Sequence, residues 1–236
     1  PMPEWNAPQR PADYVEESLI TAILNGDYPP GATLPGERDL AARLGLTRPT
    51  LREALQRLAC DGWITIRQGK PTVVNDFWRE GGLNVLNALV RYRHVPDDFV
   101  VHLLEVRLAM APAYTAAAVA HDPQSVLAHL QATAALEEDP RAFAHYDWLL
   151  HRQLTLASGN PIYTLILNGF AAFYETMATL YFTQETARAV SRRFYADLKT
   201  AFANGDAAGA ESITCHVMAE SIRLWQALHQ EAEAEA

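Results

Sequence analysis

The sequence predicts a mostly α protein: an N-terminal winged helix-turn-helix with a small β-hairpin wing, then a C-terminal all-α antiparallel helical bundle. Three observations carry this. Residues 33–75 read as two short helices joined by a tight turn and followed by two short strands. Residues 81–231 keep a helical pattern with no strand alternation and no repeat of fixed period. Breakers cut that stretch at Pro96, Asp122-Pro123, Asp139-Pro140, Ser158-Gly159-Asn160-Pro161 and Asn204-Gly205-Asp206.

The first helix is expected over 12–25, with Tyr14, Leu19, Ile20, Ile23 and Leu24 near one face and Asn25-Gly26 at its end. A second helix is expected over 36–44, closed by Gly45. Thr47 suits the N-cap of a third, Arg48 to Cys60, whose inner stripe is Leu51, Ala54, Leu55 and Leu58. Arg48, Thr50, Arg52 and Gln56 then face outward, the first three in the turns that reach base edges in a recognition helix. Residues 63–66 and 72–75 are expected as strands, with Arg67-Gln68-Gly69-Lys70 as the wing tip. In the body, helices are expected near 82–92, 97–120, 123–136, 139–157, 161–182, 184–204 and 206–230. The implied division is 1–75 for the winged module, 76–92 for a linker helix, 93–231 for the helical sensing domain and 232–236 for a tail.

Composition sets bounds. A chain of 236 residues with 49% apolar content has ample material for a core. Cys60 and Cys215 lie far apart in helical contexts and read as reduced thiols, so a cytoplasmic setting is expected. The N-terminal stretch lacks the pattern of a signal peptide, and no run of 18 apolar residues is free of charge, so no membrane partner is expected. The net charge of −9 is unevenly placed. Residues 34–79 hold eight Lys/Arg against five Asp/Glu, while 81–236 hold ten against seventeen. The basic footprint therefore lies on the winged module, where double-stranded DNA would meet it. No P-loop, dinucleotide turn, nucleophile elbow or HExxH string is present, which argues against an enzyme.

The string ERDLAARLGLTRPTLREALQRLACDGWI resembles the N-terminal domain of the GntR family of bacterial regulators. The helical body with SGNPIY resembles the ligand-binding domain of its FadR subfamily. KPTVVNDFW, GLNVL and ASGNPIYTLILNG narrow the likeness to the fatty-acid-responsive members, which long-chain acyl-CoA releases from DNA. The resemblance implies DNA contacts at Arg38, Thr47, Arg48, Thr50, Arg52, Gln68 and Gly69. Pro49 stands where those relatives carry threonine and Gln68 where their wing carries histidine, departures that bear on base preference. Pro49 is tolerable in a first helical turn, whose N–H groups lack intrahelical partners.

For the sensor, the resemblance implies an acyl-CoA site at Arg107, Tyr181, Tyr195, Ser221 and Trp225. Ser221 and Trp225 are at i, i+4, so one helix face presents both a hydroxyl and a large ring. Met218 stands where the relatives have glycine, and would narrow the pocket. No cofactor is implied beyond long-chain acyl-CoA as effector. Other relatives in the subfamily hold a metal with an Asp and three His. Here Asp147 and His151 are at i, i+4, Tyr195 takes the third position, and His216 is one residue out of phase with the fourth, about 100° around the helix. The ordinary reading of Asp147 and His151 is a buried hydrogen bond. Two functions stand: a homodimeric repressor on a pseudo-palindromic operator, released by acyl-CoA, or a regulator answering a small carboxylate through a metal.

Overall fold

The structure, a computed structural model, describes residues 10–92, 94–96 and 98–234, with side chains followed to 228. The expected tail, 232–236, lies largely outside them. The chain divides into two compact units, 1–95 and 96–236.

In the first unit, α1 (Pro11–Leu24) packs on α3 (Arg48–Cys60), with α2 (Glu37–Leu44) beside them. Val15, Leu19 and Ile23 of α1 meet Leu51, Leu55 and Leu58 of α3 in one core with Trp63, Ile64 and Val74. Tyr14, expected on the same face of α1, turns outward. The helix-turn-helix angle is set locally. Gly45 caps α2 in the left-handed region at φ 69°, which L side chains reach only at a cost. Thr47 then starts α3, its Oγ1 accepting from the Thr50 backbone N–H at 3.4 Å. Pro49 sits in that first turn, where no helical N–H is lost.

The hairpin is shorter than expected, β1 (Ile64–Thr65) against β2 (Val73–Val74), antiparallel with Ile64 opposite Val74. Thr33 adds a bridge to Val73 that alternation in the sequence did not reveal. Asn75 locks the base: its Nδ2 donates to the Gly62 carbonyl at 3.0 Å and its Oδ1 accepts from Thr65 Oγ1 at 2.8 Å. Gly62 is required there. Its φ is +89°, and a Cβ would stand 2.4 Å from the Glu80 carbonyl oxygen.

The expected linker helix over 76–92 is two helices, α4 (Phe77–Glu80) and α5 (Leu83–Arg91), broken at Gly81-Gly82. Nor does it stand apart from the winged module. Val85 and Leu89 are buried in the first core, and Asn84 Nδ2 donates to Asp61 Oδ1 at 2.8 Å. An apolar stripe on a nine-residue helix is more stable covered than solvated.

The second unit is a helical bundle of α6 (Phe99–His121), α7 (Pro123–Gln131), a 3-10 turn (Ala132–Ala135), α8 (Pro140–Ala157), α9 (Pro161–Asn168), α10 (Ala171–Tyr181), α11 (Glu185–Ala203) and α12 (Ala207–Ala234). The Asp-Pro and Asn-Pro breakers are helix starts. Asp122, Asp139 and Asn160 each cap a backbone N–H with a side-chain oxygen, and each is followed by Pro at N1. The helix expected over 161–182 is broken in two. Gly169 and Phe170 donate three residues back, to Ile166 and Leu167, so the chain tightens and α10 begins afresh. The core runs through Phe143, Leu150 and Leu154 of α8 and Tyr195, Leu198 and Phe202 of α11. α6 is long and apolar enough to pass for a membrane span by composition, but it carries Glu105 and Arg107.

Candidate DNA-reading surface and effector cavity

In the first unit, Arg38, Thr47, Arg48, Arg52, Gln68 and Gly69 are exposed, and Thr50 is half-buried beneath Thr47, their hydroxyls 2.9 Å apart. Arg38 Nε lies 3.3 Å from the carboxylate of its neighbour Asp39. Glu37 draws two of the arginines together. Its Oε2 lies 2.7 Å from Arg52 Nε and 3.8 Å from Arg48 Nη2. The side chains of Arg48 and Arg52 remain 58% and 59% exposed, so these pairs contribute about 1 kcal/mol or less and exchange readily for an external anion. Glu37 carried no sequence signal of its own, because its partners lie on the next helix. Gly69 turns the wing tip at φ 72°, with Gln68 exposed beside it.

The second unit contains a cavity of about 110 Å³. Its walls are mostly apolar, from Leu103 and Leu104 of α6, Leu167 of α9, Phe173 and Met177 of α10, and Trp225 of α12. Of the sequence-predicted residues, Arg107, Tyr181, Ser221 and Trp225 line it. Tyr181 Oη donates to Ser221 Oγ at 3.4 Å, and Ser221 Oγ donates to the Val217 carbonyl at 2.9 Å. Tyr195 does not line it. It is buried behind the cavity, where its hydroxyl donates to Asp147 Oδ1 at 3.0 Å. Met218 likewise turns into the core and leaves the cavity unnarrowed.

One side of the cavity is a polar cluster that the sequence reading assembled only in part. Arg107 Nη2 donates to Asp147 Oδ2 at 2.7 Å and to His151 Nε2. Tyr174 Oη donates to the same carboxylate oxygen at 2.7 Å, and the Arg107 guanidinium lies over the Tyr174 ring at 5.5 Å. Because His151 Nε2 accepts from a guanidinium, which has no lone pair, its proton sits on Nδ1 and faces Tyr114 Oη at 2.6 Å. Burial, and then the Arg107 charge, push the His151 pKa down to about 3, so the imidazole is neutral. Burial alone would raise Asp147. Arg107, His151 and the hydroxyls of Tyr174 and Tyr195 outweigh it and hold the carboxyl below its ordinary value of 3.8. Burial raises Tyr114, Tyr174 and Tyr195 and keeps all three protonated; Tyr174 and Tyr195 donate to Asp147, whereas Tyr114 Oη accepts from His151 Nδ1–H. The cluster is therefore one cation and one anion, neutral in sum.

The expected direct Asp147–His151 hydrogen bond is not made. The two stand 3.9 Å apart because Arg107 reaches between them and takes both lone pairs. The same arrangement does not fit a divalent cation. The guanidinium occupies the point where the two donors converge, Tyr195 uses its hydroxyl as a donor, and His216 is exposed beside a separate groove with Phe194 and Glu220. No group of three His, Cys, Asp or Glu with metal-binding placement occurs among the described residues. Tyr114, two turns from Arg107 on one face of α6, was discoverable from spacing; Tyr174 was hidden by the break at Gly169.

The family model for bacterial regulatory proteins of the gntR family matches residues 11–74, and the model of the FadR C-terminal domain matches 75–236. A fatty acid metabolism regulator protein of Shewanella frigidimarina is 39% identical over 228 residues, covering 95% of each chain. One of the same name from Edwardsiella ictaluri is 46% identical over 192 residues, covering 80% of each. Lar, which controls the expression of the Listeria monocytogenes agr system, superposes with a TM-score of 0.61 at 19% identity over 93% of this chain and 98% of its own, a likeness of fold alone. With both halves matched and relatives similar along most of their length, the chain belongs to the GntR family of DNA-binding transcription regulators, in the branch that carries a FadR-type C-terminal domain.

Proposed function

We propose that this chain regulates fatty acid metabolism genes: a cytoplasmic homodimer binds a pseudo-palindromic operator and long-chain acyl-CoA releases it. The names of its relatives support the fatty acid assignment. The observation that carries the effector is the cavity, apolar on most sides with one charge-neutral polar cluster. Such a lining takes up an acyl chain. It offers little to a small carboxylate, because the Arg107 charge is already matched by Asp147. Tyr181, Ser221 and Trp225 form its edge on α10 and α12, and Tyr195 supports Asp147 from behind.

On the DNA side, Arg48, Thr50 and Arg52 read bases or clamp phosphates from α3, with Arg38, Thr47, Gln68 and Gly69 flanking them. The energetics of release are adequate. Burying about twelve methylenes at about 0.8 kcal/mol each gives on the order of 10 kcal/mol before costs. Moving a two-state equilibrium from 1:99 to 99:1 needs about 5.5 kcal/mol. A gel shift with and without oleoyl-CoA tests the reading. Complexes that persist at saturating oleoyl-CoA, and dissociate only with added metal and a small carboxylate, would overturn it.

A further inference from the structure

We propose that residues 99–111 of α6 are the moving wall of the cavity, hinged at Pro112 and latched by Arg107 onto α8. Three observations converge. First, Pro112 lies inside the helix, thirteen residues after its start at Phe99 and well past the first turn, and it has no N–H for the carbonyl of Leu108 one turn back. A helix interrupted in this way bends or opens at that turn more easily than elsewhere. Second, packing changes at the same point. After it, Tyr114, Thr115, Ala118 and Val119 are buried, as is Ala111 just before it. No residue from 100 to 110 is buried. Third, the less buried half of α6 supplies Val100, Leu103, Leu104, Val106, Arg107 and Met110 to the cavity lining, and of the α6 residues after Pro112 only Tyr114 does so.

A segment with few buried side chains and a missing helical bond is drawn from the low-stability end of a fold, where local opening is easiest. The helix runs along α12, and its polar tie to α8 is Arg107, whose Nη2 bridges Asp147 and His151. The guanidinium Nε has no partner, so the latch leaves one donor unsatisfied. Opening about Pro112 swings the lining away from α10, widens the cavity beyond its resting 110 Å³ and admits a chain.

The inference rests on the cavity being the effector site, and its test separates the two. Amide hydrogen exchange on the full-length protein without ligand should show residues 100–110 exchanging about tenfold faster than 114–119. Pro112→Ala restores the donor to Leu108 outside the ligand-lining set. It should slow exchange at 100–110 and slow oleoyl-CoA association, each by about tenfold, with operator binding unchanged. Asp147→Asn, which weakens the latch, should speed exchange at 100–110. Equal exchange on both sides of Pro112, or a Pro112→Ala protein with unchanged exchange or unchanged association, overturns the hinge. Unchanged exchange in a folded Asp147→Asn protein overturns the latch. If the unaltered protein takes up no oleoyl-CoA, the effector reading falls, and the exchange comparison still decides the hinge.

Discussion

Arg107 on α6 and Asp147 on α8 are joined at 2.7 Å in the interior of the second unit, and each is the main charge partner of the other. This pair decides how the cavity is built. It supplies a cation without a metal and leaves Tyr174 and Tyr195 as donors. Deleting one partner of a buried pair strands the other charge. Arg107→Met should therefore destabilise the protein by about 3–5 kcal/mol in urea unfolding. Adding Asp147→Asn should recover a large part, because no bare carboxylate remains. Independent, additive losses from the two changes would show that the pair is not coupled.

Stability should fall in acid for a reason traceable to His151. Its pKa is about 3 in the fold and 6.5 unperturbed, so between those values the unfolded chain binds the extra proton. Folded stability therefore rises with pH across that window, by up to about 1.4 kcal/mol per unit, and is lost as pH falls from 6.5 toward 3. Asp147 has the opposite charge type and a lower window. Its depressed pKa adds stability above 3.8 that disappears as pH falls through the folded value. His151→Gln keeps an acceptor for Arg107 and removes the titration. Urea midpoints from pH 4 to 7 should be flatter in that variant, and a slope equal to that of the unaltered protein would mean that His151 is not the group responsible.

The N-terminal module was legible because its determinants are local. Thr47, Gly45, the Leu51–Leu58 stripe and the hairpin alternation act over a few residues; the structure places the first three as read and the hairpin with shorter strands. The sensor was legible in its helices and less so in its site. Arg107 and Asp147 are 40 positions apart, and nothing in either helix announces the pairing. Tyr195, which the resemblance places in or around the site, stands behind the lining with its hydroxyl donated to Asp147, a contact that links residues 48 positions apart. The break at Gly169 was missed because the apolar pattern continues on both sides, while the backbone changes to shorter-range bonds.

The recognition arginines should separate from the sensor. Arg48→Ala and Arg52→Ala each remove one exposed cation from α3 and leave its buried stripe untouched. Operator affinity should fall at least about tenfold, by 1–3 kcal/mol for a base contact, whereas a phosphate contact would also lower the salt slope by about one. Oleoyl-CoA affinity by calorimetry should stay within about twofold, since one exposed substitution rarely moves stability by 0.5 kcal/mol. Comparable losses in both assays would mean that the functions are not divided between the units.

One recognition helix and one wing offer too few contacts for a specific site, so two copies should bind one operator. Sedimentation of the protein with a single operator duplex should give two chains per duplex. A saturated complex with one chain would rule out the dimeric arrangement and the pseudo-palindromic site that follows from it.

The sensor is best tested at Ser221 and Trp225, which both line the cavity from one face of α12. Trp225→Ala removes a buried ring, at a cost of about 3–5 kcal/mol if it behaves as core, so a thermal melt must accompany it. Ser221→Asn is the cleaner change. The serine hydroxyl bonds to the Val217 carbonyl and meets Tyr181, and asparagine at that position adds bulk toward the cavity. Both variants should bind operator without ligand, because nothing on α3 or the wing is altered. Both should need at least about tenfold more oleoyl-CoA for release, a loss of 1.4 kcal/mol or more from a binding energy of order 10. The metal reading makes the reverse forecast: Asp147→Ala or His151→Ala would abolish the response and Ser221→Asn would leave it intact. Folded Ser221→Asn protein released at the usual oleoyl-CoA concentration, together with a silent but folded His151→Ala protein, would transfer the effector site from the cavity to a metal centre.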